Sequence, residues 1–400
     1  MIQKYEKFQS KLKHLTSVQA EELSKRYYDG EKNSDLIDEY NIDILPNDLY
    51  KALPLRKHAQ QCPYCETNLF SLPRSKSSYR RRDTLFCIAC GHHTDLYCDC
   101  TGCMTIRQRE LEARLSIKRI EEEKIRTALL QYRVDPVPLE QLSVKDKAYL
   151  GALLRACLND DSTKIMPLES SAEKLAPTKK YQNEILNTLI QRNLISPDPE
   201  DVTFYELGVN DMIYISHRRV PYVLNVTSPL YSRSEIIEQL IYPNQIALED
   251  IAAGYDLWKE IAVYESIEYL QNRLNEYQLH SSKIGDKTIM TIAKTLEDYS
   301  VSQVFNFLWS AVKNAAAFKQ KSGISQSHAI NSIPGNILKR HEFALKEGWD
   351  IKGYNRDYNL PQSTISEIVS NRILNIGDVG FKGNVTVRLL QQNLTYFDIL

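Results

Sequence analysis

The sequence predicts a mainly α-helical, multidomain protein with a cysteine-rich, metal-binding segment near its N-terminus. A chain of 400 residues is long enough for about two to four domains. Several long segments carry apolar residues at helical spacing, and the segment Met104–Val134 contains neither Gly nor Pro. Seven of the eight cysteines lie between Gln61 and Cys103, which indicates a unit organised by metal ions.

Residues 1–60 form the first predicted domain, a small helical unit. A capped helix is expected from Thr16 or Ser17 to Gly30, a second over Ser34–Tyr40 and a third over Pro46–Leu53. This succession resembles the helix-turn-helix families of bacterial regulators and recombinases, although the turn is longer than theirs. The resemblance implies DNA reading, and a plain helical cap on the following segment is the alternative.

Residues 61–104 form the second predicted domain, in which two Cys-x2-Cys pairs stand about twenty residues apart. Each pair can supply two thiolates from one tight turn, and Gly91 can adopt the positive φ that such a turn requires. Four thiolates complete a tetrahedral Zn²⁺ shell and leave no position for water. The predicted ligands are Cys62, Cys65, Cys87 and Cys90. The sequences CPYC and CIACGH resemble the zinc-ribbon families.

A second cysteine cluster follows at Cys-x-Cys-x2-Cys spacing. Cys98, Cys100 and Cys103 have His92 and His93 just upstream as candidate fourth ligands. A second Zn²⁺ is therefore expected. The alternative is that these thiols are free or redox-active cysteines beside a single zinc ion.

The insert between the two Cys-x2-Cys pairs is basic and rich in hydroxyl groups. Basic side chains on a metal-fixed loop are suited to the phosphate backbone of a nucleic acid, whereas a solvated charged loop is the alternative. The candidate nucleic-acid-binding residues here are Arg74, Lys76, Arg80, Arg81 and Arg82.

Residues 105–135 are predicted to form a connecting helix that ends before Pro136, and residues 136–230 a further domain. Its expected helices are Val144–Leu158, Ser170–Leu175 and Thr178–Asn193. Two β-rich runs, Met212–Ser216 and Pro221–Val226, are predicted to pair as a hairpin. This order of helices and then a hairpin resembles winged-helix domains.

The winged-helix resemblance implies a surface that binds double-stranded DNA. The residues that it assigns to the recognition helix are Lys179, Lys180, Gln182 and Asn183, and the hairpin tip carries Arg218 and Arg219. Winged helices also bind proteins, so a protein partner is the alternative.

The rest of the chain is predicted to be helical. Residues 231–322 carry an aromatic stripe that is expected to form core, or to face a protein partner or a second copy in a homodimer. Residues 323–400 form a last helical region, in which Leu360, Ile365 and Ile368 occupy inner positions resembling a helix-turn-helix, with Gln362, Ser363, Thr364 and Glu367 outside.

Composition restricts the function. The net charge of −1 means that any nucleic-acid footprint must be local. No signal peptide and no apolar run of the ~18 residues needed to cross a bilayer are present, so we expect a cytoplasmic protein without a membrane partner. No phosphate-binding loop, nucleophile elbow or zincin motif occurs, so we expect no enzymatic activity.

The expected function is that of a zinc-containing DNA-binding protein, a regulator or a targeting subunit of the kind found in mobile elements and antiviral (phage) defence systems. The alternative is a protein-interaction scaffold or non-catalytic effector of a bacterial defence system. No residue in the sequence decides between them.

Overall fold

The computed structural model describes residues 2–78, 83–95, 97–131, 134–208, 212–280 and 283–397, with side chains between residues 5 and 393. The chain divides into an N-terminal unit of residues 1–120 and a C-terminal unit of residues 121–400. Most described residues are helical and the sheets are small, which confirms a mainly α fold. Within these ranges, none of the helices is both long and apolar enough to cross a membrane.

The N-terminal unit begins with short helices around a core of their own. Their bounds are Ile2–Gln9 (α1), Ser17–Tyr28 (α2), Asn33–Glu39 (α3) and Leu49–Ala52 (α4). Thr16 caps α2, because its hydroxyl accepts the Gln19 N–H at 3.3 Å. The three predicted helices are present, but the third begins as a 3-10 turn over Pro46–Asp48. The buried residues are Leu12, Leu23, Tyr27, Leu36, Ile42, Leu49, Ala52 and Leu53.

A small antiparallel sheet follows, made of Arg56–Gln61 (β1) and Asn68–Ser71 (β2). Phe86 extends it, since its backbone N–H and C=O each bond to Phe70 at 2.8 Å. Among the described residues of this segment, the buried apolar cluster consists of Cys62, Leu69 and Cys87, with Leu85 and Cys90 packed against it. Two of its three members are therefore predicted metal ligands.

The helix Thr101–Gln131 (α5) contains the boundary between the two units. Its side chains are exposed from Met104 to Glu121, and Ile125 is its buried residue. The long helix predicted before Pro136 is thus confirmed.

The C-terminal unit holds the remaining elements. Its helices are Val144–Cys157 (α6), Lys179–Gln191 (α7), Arg233–Ile241 (α8), Ile251–Glu276 (α9), Asp286–Thr295 (α10), Val301–Ser322 (α11), Gln326–Asn331 (α12), Ile333–Glu347 (α13), Thr364–Ile368 (α14), Val379–Lys382 (α15) and Val387–Phe397 (α16). Its strands are Val137–Pro138 (β3), Ile195–Pro197 (β4), Tyr205–Leu207 (β5), Ile213–Ile215 (β6), Tyr222–Leu224 (β7) and Val226–Thr227 (β8).

One apolar core connects the described residues of this unit from Ile125 to Leu390. The predicted segments 136–230, 231–322 and 323–400 all contribute to it. The aromatic stripe predicted as core lies inside it: Trp258 is buried, and the Tyr269 and Phe305 rings stack with centroids 4.0 Å apart.

The predicted strands of residues 212–226 exist, but their pairing differs from the prediction. The hairpin expected between Met212–Ser216 and Pro221–Val226 is wrong: β6 pairs with β5, and β7 pairs with β4, both antiparallel. The predicted helix Ser170–Leu175 is also wrong, because only a 3-10 turn over Leu168–Ser170 forms. Strand partners and short helices depend on distant contacts that local sequence does not report.

In residues 350–368, the segment before α14 is irregular and α14 itself is buried. Ser363 and Thr364, expected on an outer face, are 1% and 5% exposed. Backbone bonds hold them in the core, since the Thr364 N–H donates to the Lys174 carbonyl at 2.8 Å. The helix-turn-helix interpretation of this segment is therefore wrong, because its recognition helix could not enter a groove.

Candidate metal centres and basic surfaces

The first ligand set consists of the four cysteines of the two Cys-x2-Cys pairs. The Sγ atoms of Cys65 and Cys87 are 3.3 Å apart, those of Cys62 and Cys90 3.5 Å, and those of Cys65 and Cys90 3.7 Å. Thiolates at ~2.3 Å from a tetrahedral zinc ion lie ~3.8 Å from one another. The four thiols therefore lie close to the spacing of a zinc shell and could hold a metal ion.

Two matching backbone turns position these thiols. The Glu66 N–H donates to the Cys62 carbonyl at 3.0 Å, and the Gly91 N–H donates to the Cys87 carbonyl at 3.1 Å. The residue after each pair is left-handed, with φ of 59° at Glu66 and 70° at Gly91. The positive φ predicted for Gly91 is confirmed. At Glu66 the same conformation costs about 1 kcal/mol, because a side chain is present.

The second ligand set consists of His92, Cys98, Cys100 and Cys103. The His92 Nδ1 atom lies 3.5, 3.6 and 3.4 Å from the Sγ atoms of the three cysteines in that order. Bond lengths of ~2.1 Å to nitrogen and ~2.3 Å to sulfur predict ~3.6 Å between such donors in a tetrahedral zinc site. This set could also hold a metal ion, with Nδ1 as the imidazole ligand.

His93, the other histidine considered from the sequence, lies outside this set. Its Nδ1 atom is 3.5 Å from the Asp95 carboxylate, and its backbone N–H donates to the Cys98 Sγ atom at 3.2 Å. An N–H bond of this kind stabilises a thiolate, because it places a donor against the negative charge. The structure thus gives the ligand position to His92 and a supporting backbone contact to His93.

Tyr64 connects the two sets. It belongs to the first Cys-x2-Cys turn, yet its hydroxyl lies 3.1 Å from Cys103 Sγ and its ring meets the His92 ring edge-on at 5.0 Å. The hydrogen bond with Cys103 raises the pKa of Tyr64 to about 12. The hydroxyl would donate to Cys103 when this cysteine is a metal-bound thiolate, because a thiolate has no proton to give. A Cβ atom on Gly102 would lie 2.5 Å from this ring. Sequence reasoning missed both residues, although an aromatic side chain between ligands was the available signal.

Both sets have the chemistry of structural zinc sites. Thiolate and imidazole are ligands that zinc prefers, and four-coordinate sites made only of protein donors are typical of structural zinc. No open position would be left for a substrate or for a water molecule. The sets therefore fit Zn²⁺, and the bound ions would stabilise the fold of this segment.

We expect two zinc ions per chain, one in each set. Purified protein in a reducing buffer should contain both by elemental analysis. The double variant C100S/C103S should retain one, whereas C157A should retain two, since Cys157 is a buried cysteine outside both sets. If the wild-type protein contained one zinc ion per chain and C100S/C103S contained the same amount, the second set would not be a zinc site.

The described basic residues of the insert between the two Cys-x2-Cys pairs have partners within the N-terminal unit. Arg74 pairs through Nε with Asp83 at 2.6 Å, and the Lys76 ammonium lies 4.5 Å from the centre of the Tyr27 ring. The same ammonium donates to the Glu31 carbonyl. These contacts tie the insert to α2. Arg80, Arg81 and Arg82 lie outside the described residues.

The predicted recognition helix, α7, presents a polar face to solvent. Lys179, Lys180 and Asn183 are exposed on it, whereas Gln182 is half-buried at its edge. Asn187 and Gln191 continue the exposed face one and two turns further on. Sequence reasoning missed these two residues because it stopped at the first turn of the helix.

Arg218 and Arg219 lie beside α7. The Arg218 guanidinium donates to the Asn183 side-chain oxygen at 3.0 Å, and Arg219 Nε donates to the Glu169 carboxylate at 3.0 Å. Arg218 also lies 3.7 Å from Glu169. The structure thus brings the loop arginines to the predicted recognition helix, but Glu169 offsets part of their charge.

No protein-family model, curated protein or solved structure matches this chain.

Proposed function

We propose that this chain is a zinc-containing protein that binds double-stranded DNA, with α7 in the major groove. The observation that carries the proposal is the exposed face of α7, formed by Lys179, Lys180, Asn183, Asn187 and Gln191. Amide and ammonium groups on one helix face are suited to base edges and to the flanking phosphates. Glu184, at the edge of this face, pairs with Lys180 at 3.6 Å and offsets part of its charge.

The order of elements around α7 supports a winged-helix arrangement. After α6, Ile165 forms an isolated antiparallel bridge with Tyr222 of β7. Helix α7 comes next in the chain, and β4, which follows α7, pairs with β7. The described residues 198–208 and 212–221 lie between β4 and β7 of this small sheet, where a wing would lie, and include Arg218 and Arg219. In winged-helix and related domains, the helix before the wing enters the groove.

The metal sets support a binding protein rather than an enzyme. Each set would supply four protein donors to a zinc ion, so no position would be left for activating a water molecule. We therefore assign the zinc ions to the fold and the DNA contacts to α7 and its neighbouring loop. A regulator or a targeting subunit would need these parts and no catalytic centre.

Removing the two α7 lysines is expected to weaken DNA binding and its salt dependence. In gel shifts on random duplex across a salt series, K179A/K180A should lower the slope of log K against log salt by about 0.9 for each lost phosphate contact. The matched control is K339A/K346A, which removes the same charge from exposed positions on α13.

Asn183 should behave differently from the lysines. N183A is expected to change the preference among sequences, because an amide reads base edges whereas an ammonium neutralises phosphate. If K179A/K180A binds with the same affinity and salt slope as K339A/K346A, α7 does not contact DNA. A wild-type protein without salt-dependent binding would leave the protein-interaction scaffold as the better function.

A further inference from the structure

The exposed part of α5 carries an apolar stripe without a partner in the described chain. Ile106, Ala113, Ile117 and Ile120 lie on one side of the helix, and the three isoleucines are 45%, 59% and 60% exposed. Exposed isoleucines in a row on one helix face are costly in water and indicate a contact surface.

These positions have the spacing of a coiled-coil seam. Ile106, Ala113 and Ile120 are seven residues apart and take the d positions of successive heptads. Ile117 lies four residues after Ala113 and three before Ile120, so it takes an a position. Glu110 and Lys124 take the other two a positions. We call residues 106–124, with this assignment, the α5 seam.

The charges decide which orientation of two seams is favourable. In a parallel pair, Glu110 would face its own copy, Lys124 would face its own copy, and Arg109 would face Arg114. All three contacts join like charges, which destabilises the pair. A parallel dimer is therefore disfavoured.

In an antiparallel pair the like-charge contacts of Glu110, Lys124 and Arg109 are removed, and Arg109 gains an opposite charge. With Ala113 opposite Ile117 at the centre, Glu110 faces Ile120 and Lys124 faces Ile106, so the seam contains no like-charge contact. At the flanks, Arg109 faces Glu123, twice by symmetry. Arg107 lies opposite Glu121, but its guanidinium donates to the Cys98 carbonyl of its own chain. Arg114 facing its copy is the only like-charge contact left among these seam and flank positions.

We propose that a second copy of this chain binds the α5 seam and forms an antiparallel two-stranded coiled coil. We assign a second copy as the partner because the α5 seam is self-complementary. It supplies both the isoleucines and the opposite charges that the partner needs. A seam of this length buries less surface than a standard interface, so the dimer forms in the micromolar range and depends on concentration.

Sedimentation equilibrium of the zinc-loaded full-length chain tests the proposal. I117E should weaken the dimer on the order of a hundredfold, because the substitution enters the two central layers. The matched control is L115E, whose residue is 45% exposed on the opposite side of α5 and should leave the dimer intact. Equal zinc content and helicity in both variants exclude misfolding.

Charge reversal at one pair tests the orientation. R109E alone and E123R alone should each weaken the dimer about fivefold, and an equimolar mixture should recover the wild-type affinity. Arg107 is left unchanged because it donates to the carbonyl of the metal ligand Cys98. In a parallel dimer R109E would instead tighten the association, since the introduced carboxylate would meet Arg114 of the other copy.

Three outcomes overturn the proposal. The first is a wild-type chain that remains monomeric at high micromolar concentration. The second is a dimer that L115E disrupts and I117E does not. The third is a dimer that R109E strengthens.

Discussion

Removing zinc is expected to unfold residues 56–104 while the C-terminal unit keeps its fold. The apolar core of this segment is Cys62, Leu69 and Cys87, so without the metal little apolar surface remains to hold β1, β2 and the two turns. Binding free energies of about 10 kcal/mol or more are typical of structural zinc, and in such sites they are also folding free energy. The C-terminal unit has an apolar core of its own and contains no member of either ligand set.

The two units can be followed separately. All three tryptophans, Trp258, Trp309 and Trp349, lie in the C-terminal unit, so their fluorescence reports that unit alone. Hydrogen exchange of peptides from residues 56–104 reports the segment that contains both ligand sets. A strong chelator, or C87S, should abolish protection there and leave the tryptophan emission unchanged.

C157A is the control for this experiment, because it removes a cysteine thiol without touching either set. Burial raises the pKa of Cys157 to about 11, so this thiol is neutral at pH 7. The variant should keep both zinc ions and the protection of residues 56–104. Protection that survives complete zinc removal would show that the segment folds without its metal.

The metal ligands could be predicted from the sequence because the information is local. Two residues between cysteines suffice for one turn to present two thiols, and the second cysteine cluster follows the second pair within a few residues. The choice of His92 over His93 could not be predicted. It depends on which imidazole reaches Cys98, Cys100 and Cys103, and on the backbone bond from His93 to Cys98.

The long helices were predicted well, whereas the short helix Ser170–Leu175 and the contacts between distant residues were not. Helical periodicity and caps are local properties, and Thr16 before α2 and Ser143 before α6 both form capping boxes. The partners of β6 and β7 lie elsewhere in the chain, so the expected hairpin between them failed. Ser363 and Thr364 are polar and were placed outside, but they are buried because the core of the C-terminal unit closes over them.

A buried ionic network stabilises the irregular segment before α14. Glu265 of α9 is 5% exposed, and its carboxylate accepts two bonds from Arg356, at 2.8 and 3.2 Å, and one from the Ser366 hydroxyl at 2.7 Å. The Arg356 guanidinium lies 4.2 Å from the centre of the Phe381 ring. The network therefore joins α9, the irregular segment, α14 and α15.

The two charges of this network differ in their access to water. The Arg356 side chain is 26% exposed, whereas that of Glu265 is 6% exposed. Without Arg356, the Glu265 carboxylate would stay buried without a counter-charge, which is strongly destabilising. Without the carboxylate, the guanidinium could still reach solvent. Removing the arginine should therefore cost more stability than neutralising the glutamate.

R356A is expected to lower the free energy of unfolding of the C-terminal unit by about 3 kcal/mol, and E265Q by about 1 kcal/mol. Urea unfolding followed by tryptophan fluorescence measures both values, because every tryptophan lies in this unit. R372A is the matched control: Arg372 is exposed and also lies over an aromatic ring, that of Tyr242 at 5.5 Å, so its loss should cost well under 1 kcal/mol. The double variant R356A/E265Q should be more stable than R356A, since it no longer buries a lone charge. A loss for R356A no larger than that for R372A, or a double variant less stable than R356A, would contradict a stabilising role of this pair.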